Sequence, residues 1–132
     1  MIYLDSSALL KLLFEENESE GLALWLSERA TTPVVTSELA KVEVVRAARR
    51  LDPGVARAAS ALVSQLDLLR LSSGLIDEAA DAGGPLLRAL DAVHLASVLS
   101  IRADLTAFVT YDYRLIAAAE AAGIKTVQPP TS

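Results

Sequence analysis

Five short runs of apolar and β-branched residues recur along this chain, at Ile2–Leu4, Val34–Thr36, Leu68–Leu71, Ala107–Thr110 and Lys125–Val127, and helix-forming sequence separates each from the next. Strands spaced in this way cannot be joined by tight hairpins. Each intervening helix carries the chain back across the sheet, so that the next strand lies parallel and both faces are covered. The pattern predicts an α/β fold, a three-layer α/β/α sandwich around a central parallel sheet.

The punctuation between the runs supports this reading. Asp5 follows the first strand directly, and Ser6-Ser7-Ala8-Leu9-Leu10 turns straight into a helix. Asn17 or Ser19 caps a second helix whose stripe is Leu22, Trp25 and Leu26, stopped by Pro33. Ser37 caps a helix from about Glu38 to Leu51 that ends at Asp52-Pro53-Gly54, and another runs to about Leu66. Ser73 opens helical sequence broken at Gly83-Gly84-Pro85, and further helices cover about Leu87 to Ile101 and Tyr113 to Ala122, the last closed by Gly123. Gln128-Pro129-Pro130 ends the pattern. With 132 residues, 52% of them hydrophobic, and no repeat or linker, residues 1–132 are expected to form one domain.

Composition narrows the chemistry. Without cysteine there is no disulfide framework, thiolate zinc site or cysteine nucleophile, and a reducing compartment fits. The opening Met-Ile-Tyr-Leu-Asp does not read as a secretory signal, and no apolar run reaches the ~20 residues that span a bilayer, so a cytoplasmic protein is expected. A net charge of −5 and a pI near 4.8 argue against general electrostatic capture of nucleic acid. That objection weakens where acids gather around divalent cations, which invert the local sign. Arg46, Arg49, Arg50 and Arg57 form a basic run that reads either as a phosphate-facing patch or, more commonly, as a solvated helix face.

Four acids stand out by position. Asp5 and Asp112 fall at the carboxyl ends of strands, where ligands bind in open parallel sheets, although either also suits an N-cap. Asp91 shares a helical stripe with Leu87, Leu95 and Val98, so it points inward and needs a cation, a hydrogen-bond cage or a place at the rim. Glu43 lies between apolar and charged helix surface, where an i,i+3 pair with Arg46 is the bland alternative. His94, the only histidine, lies one turn beyond Asp91 and reads as a hydrogen-bonded core residue or an orienting neighbour. Oxygen donors with one histidine and no cysteine suit magnesium or manganese rather than zinc. Such a cluster supports phosphodiester hydrolysis by an activated water, without a protein nucleophile.

Four local words carry a resemblance: Leu4-Asp5-Ser6-Ser7-Ala8-Leu9, Val42-Glu43-Val44-Val45-Arg46-Ala47, Leu90-Asp91-Ala92-Val93-His94-Leu95-Ala96 and Thr110-Tyr111-Asp112-Tyr113-Arg114-Leu115. In this order, across nearly the whole chain, they resemble the PIN-domain family, particularly VapC-type toxins of type II toxin–antitoxin pairs. The resemblance implies a Rossmann-like sandwich, a selective endoribonuclease using magnesium or manganese, a homodimer, and inhibition by a small VapB-type antitoxin. It makes Asp5 and Asp91 the principal metal ligands, Glu43 a ligand or water-orienting base, and Asp112 a fourth acid acting directly or through water. Ser7 and Thr110 match polar positions beside the first and last acids, and Arg46 and Arg114 match basic positions suited to phosphate or antitoxin.

Two other magnesium-dependent strand-Asp enzyme and signalling classes fail on residues. A haloacid-dehalogenase-type aspartyl-phosphate enzyme needs a second acid where Ser7 stands. A receiver domain needs adjacent acids after its first strand and a lysine after a late one, where this chain has Thr110-Tyr111-Asp112. The surviving alternative is a catalytically silent module that binds protein or RNA. The apolar N-terminal helices, with Leu10, Leu13, Phe14, Leu22, Trp25 and Leu26, read as core and also as partner surface.

Overall fold

The computed structural model describes residues 1–131. Its strands β1 (Ile2–Leu4), β2 (Val34–Ser37), β3 (Asp67–Leu69), β4 (Ala107–Val109) and β5 (Thr126–Val127) form one sheet in the order β3-β2-β1-β4-β5. Every neighbouring pair is parallel, as the alternation of strand and helix required. The helices are α1 (Ser6–Leu13), α2 (Ser19–Ser27), α3 (Glu38–Leu51), α4 (Ala56–Ser64), α5 (Ser73–Asp81), α6 (Ala89–Ser100) and α7 (Tyr113–Ala121), with a 3₁₀ turn at Pro53–Val55.

Alternation within the strands sorts the side chains into layers. Ile2 and Leu4 of β1 and Ala107 and Val109 of β4 face Leu9, Leu22, Val44 and Val63 from α1 to α4. Tyr3, Val35 and Phe108 face the other way, against Leu95 and Val98 of α6 and Leu115 and Ala119 of α7. Helix α5 packs outside α6 through Leu75, Ala79 and Ala96. The result is the expected three-layer sandwich. No helix among the described residues is long and apolar enough to cross a membrane.

Several boundaries move for local reasons. Strand β3 begins at Asp67 and stops at Leu69, because pairing of Val35 with Asp67 and Ser37 with Leu69 sets its extent, not the apolar run to Leu71. Asn17 caps nothing: Glu18 precedes α2, and the hydroxyl of Ser19 closes the turn from α1 by donating to the Phe14 carbonyl and accepting from the Glu16 amide. Helix α5 does open at Ser73, with the hydroxyl of Ser72 capping it through the Leu75 amide. Helix α6 starts at Ala89, two residues late, because Gly83 takes a positive φ of 70° and Leu87 is held in a turn onto the Gly84 carbonyl. At the far end of the chain, Pro130 lies against α2 so closely that a Cβ on Gly21 would stand 2.1 Å from its carbonyl oxygen.

Candidate active site

The strand order reverses direction at β1, since β2 lies on one side of it and β4 on the other. Crevices at such switch points, beyond the carboxyl ends of the strands, are where open parallel sheets bind ligands. Asp5 leaves β1 at that crevice, its amide reaching the carbonyl of Val109 at the end of β4.

Asp5 is only 3% exposed. Its Oδ1 accepts from the Ala8 amide at 3.0 Å and the Ser7 hydroxyl at 2.7 Å, and its Oδ2 accepts from the Thr110 hydroxyl at 2.6 Å. It is therefore both the N-cap of α1 and a caged anion; the two readings of the sequence coexist. Burial raises its pKa, and the opposing pull of His94, Thr110, Ser7 and the Ala8 amide does not cancel that. Ser7 and Thr110 thus bind the first acid. They also hold the loop to the last: Ser7 accepts from the Tyr111 amide at 3.0 Å, and Thr110 from the Asp112 amide at 3.2 Å.

Asp112 caps α7, its Oδ1 accepting from the amides of Arg114 and Leu115. Asp91 stands in the first turn of α6, half-buried, so the late helix start places it at the rim and not inside the stripe. Burial raises its pKa, and Asp112 and, to a lesser degree, Asp5 push it the same way against His94 and Arg88. Asp91 thus sits in a negative field from its neighbouring carboxylates that a cation would relieve.

Glu43, on α3, does not pair with Arg46. Its Oε1 accepts from Ser6 at 2.7 Å and contacts His94 Nε2 at 2.7 Å. Burial works to raise its pKa, but these two partners outweigh it and the carboxyl titrates below its ordinary range. Among the described residues no three acidic or histidine side chains converge on one point as they lie. Asp5 turns to its hydroxyls, Asp112 to α7 and Glu43 to His94. The donor set nevertheless fits a hard divalent cation: the acids are oxygen ligands, neighbours in a common field, with no sulfur nearby.

Two contributors were invisible in the sequence reading. Ser6 reaches Glu43 while its neighbour Ser7 reaches Asp5, and the hydroxyl of Tyr3 lies 2.7 Å from His94 Nδ1. A tyrosine inside an apolar strand was the available signal, since a buried phenol needs a partner. Arg46 is exposed and lines a shallow surface cavity with Arg49 and Arg50; Arg114 is exposed beside Asp112. Neither makes an ion pair among the described residues.

The PIN-domain family model matches residues 2–121. The chain belongs to the PIN-domain family. Within it, this PIN domain is 42% identical over 132 residues to Ribonuclease VapC47 of Mycobacterium tuberculosis (strain CDC 1551 / Oshkosh), covering 98% of this chain and 97% of that one. It is 43% identical over 131 residues to Ribonuclease VapC35 of the same strain, with the same coverage of both chains. The crystal structure of M. tuberculosis VapC20, described as a Sarcin-Ricin loop cleaving toxin, superposes with a TM-score of 0.77 over 98% of this chain and all of that one, at 19% identity. A toxin–antitoxin complex from Klebsiella pneumoniae gives 0.66 over 89% of this PIN domain and 91% of that chain, at 17% identity. These two structures share its fold, and the VapC sequences place it in the VapC branch.

Proposed function

We propose that this PIN domain is the toxin of a VapBC-type pair, a magnesium-dependent endoribonuclease for which manganese can substitute. The observation that carries the reading is the half-buried Asp91 at the switch point between β1 and β4, whose carboxyl is pushed up by burial and by the neighbouring carboxylates of Asp112 and Asp5. Relatives named as ribonucleases, matched over nearly the whole chain, support it.

Asp5 and Asp91 would hold the cation, with Asp112 acting directly or through water. A divalent ion in such a cage neutralises charge at phosphorus and lowers the pKa of a water. The remaining work belongs to the protein. Ser7 and Thr110 keep Asp5 in one orientation. Glu43, ionised at neutral pH, stands ready to accept the proton of the attacking water as the oxygen joins phosphorus and one P–O ester bond breaks; the departing alkoxide then takes a proton from solvent. Arg46 and Arg114, exposed, without an ion pair among the described residues and flanking the acids in sequence, are suited to RNA phosphates or to acidic groups of the antitoxin. A VapB-type antitoxin, a homodimer and a cytoplasmic setting complete the proposal.

The test is cleavage of a mixed RNA pool by antitoxin-free protein with magnesium or manganese, against EDTA and Asp5→Asn controls, mapping product ends. Cleavage lost in both controls supports the enzyme. Folded protein that cuts nothing with either metal overturns it in favour of the silent binding module.

A further inference from the structure

We propose that Tyr3 and His94 are positioning residues that fix the carboxylate of Glu43, leaving a single oxygen free to face the acid cluster. The consequence for cleavage rests on the nuclease reading; the relay itself stands on its hydrogen bonds.

Tyr3 and His94 are 0% and 2% exposed. The imidazole joins three elements: its Nδ1 lies 2.7 Å from the Tyr3 hydroxyl on β1, and its Nε2 lies 2.7 Å from Glu43 Oε1 on α3. A ring with polar atoms at both nitrogens must place its proton on one of them or on both. Against an ionised carboxylate, Nε2 has to be the donor, because a lone pair on a buried imidazole would otherwise face another lone pair at 2.7 Å. Nδ1 is held against the Tyr3 phenol at 2.7 Å, whichever of the two atoms carries the proton of that bond. Ser6 donates to the same Oε1 at 2.7 Å. Glu43 Oε1 therefore takes two donors, His94 and Ser6, while Tyr3 holds the imidazole from its other nitrogen.

Two properties follow. Oε1 has taken both its donors, so only Oε2 can engage a cation or a water. The relay is also anchored in the sheet: the Tyr3 ring meets His94 edge-on, with centroids 5.9 Å apart, and Phe108 likewise at 5.5 Å. Swinging the imidazole would disturb the core beneath the central strand. A histidine that merely filled space would be satisfied by one nearby backbone group. This one spans partners 91 and 51 positions away in sequence.

Because His94 is the only histidine, ¹⁵N-histidine labelling yields a single imidazole. Long-range ¹H–¹⁵N spectra of the full metal-free chain should show a proton on Nε2, facing Glu43. Tyr3→Phe should shift the Nδ1 resonance and Glu43→Gln the Nε2 resonance. Tyr3→Phe, which removes one oxygen atom, should also lower kcat and Mn²⁺ affinity about 10- to 100-fold, with KM for RNA held within about twofold. His94→Gln, whose amide can still donate to Glu43, should recover part of what His94→Leu loses. A ring with no proton on Nε2, or Tyr3→Phe with wild-type kcat and Mn²⁺ affinity, overturns the relay. Should the wild type cut no RNA, the nuclease reading fails, while the spectra and the Mn²⁺ titration still decide the relay.

Discussion

Asp5 is at once the cap of α1 and a buried anion, and the two demands act on stability in opposite directions. The cap stabilises the helix; the burial raises the carboxyl's pKa above its unfolded value of 3.8. A native state that binds the proton more tightly than the unfolded chain loses stability as pH rises. For Asp5 and Asp91 that stability is fully present below 3.8 and is lost as pH rises through the raised native pKa. Glu43 works the other way, its contribution present above 4.5 and lost as pH falls through its depressed native value. Asp5→Asn should therefore raise the Tm of metal-free protein at neutral pH and flatten its pH dependence while abolishing cleavage. Thermal melts in EDTA across pH check this, and a lower Tm for the variant at pH 7 would contradict it. Thr110→Val, which removes the 2.6 Å hydrogen bond to Asp5, should cost about 10- to 100-fold in metal affinity or activity, read by titration with Mn²⁺. At this scale the acids were legible because each sits in a distinctive local word. Tyr3 and Ser6 were not, since their partners lie across the fold and no spacing in the sequence announces a contact between β1, α3 and α6.

Element by element, the sequence was most informative where a side chain cuts the chain sharply. Ser37 ends β2 and caps α3 through the Leu39 amide, so the helix carrying Glu43 starts where it was expected. Ser37→Ala should cost about 1 kcal/mol of stability, measured by urea unfolding, with a smaller effect on kcat than Thr110→Val. Boundaries failed where tertiary pairing overrides local preference: β3 stops at Leu69, opposite Ser37 at the end of its partner β2, and the glycine turn before α6 delays that helix until Ala89. The second shift matters to the site. Starting α6 late moves Asp91 from an interior stripe to the first turn, where a charged side chain is tolerated and favoured by the helix dipole.

For the whole molecule, the open question raised by the charge of −5 is how an acidic protein holds RNA. Arg46, Arg49 and Arg50 stand exposed on the helix that carries Glu43, lining one cavity. If they hold phosphates, replacing one by Ala in the Asp5→Asn background should reduce the slope of log K against log salt by about 0.7 for a single strand. An unchanged slope would return them to the solvated-face reading. The N-terminal helices settle largely into core: Leu22 is buried, and Leu10, Leu13, Phe14, Trp25 and Leu26 pack partly against the same cluster. A partner role is left to their uncovered edges, and Trp25→Ala should weaken antitoxin capture, while equal capture by calorimetry would count against it. The seam between Gly21 and Pro130 bears on how such experiments are built. A reporter fused after Thr131 would be tethered against α2, a few residues from Trp25, and would obstruct the very face whose binding it was meant to observe. A label carried on an exposed position of α5, such as Glu78, sits on the opposite layer and leaves that face clear.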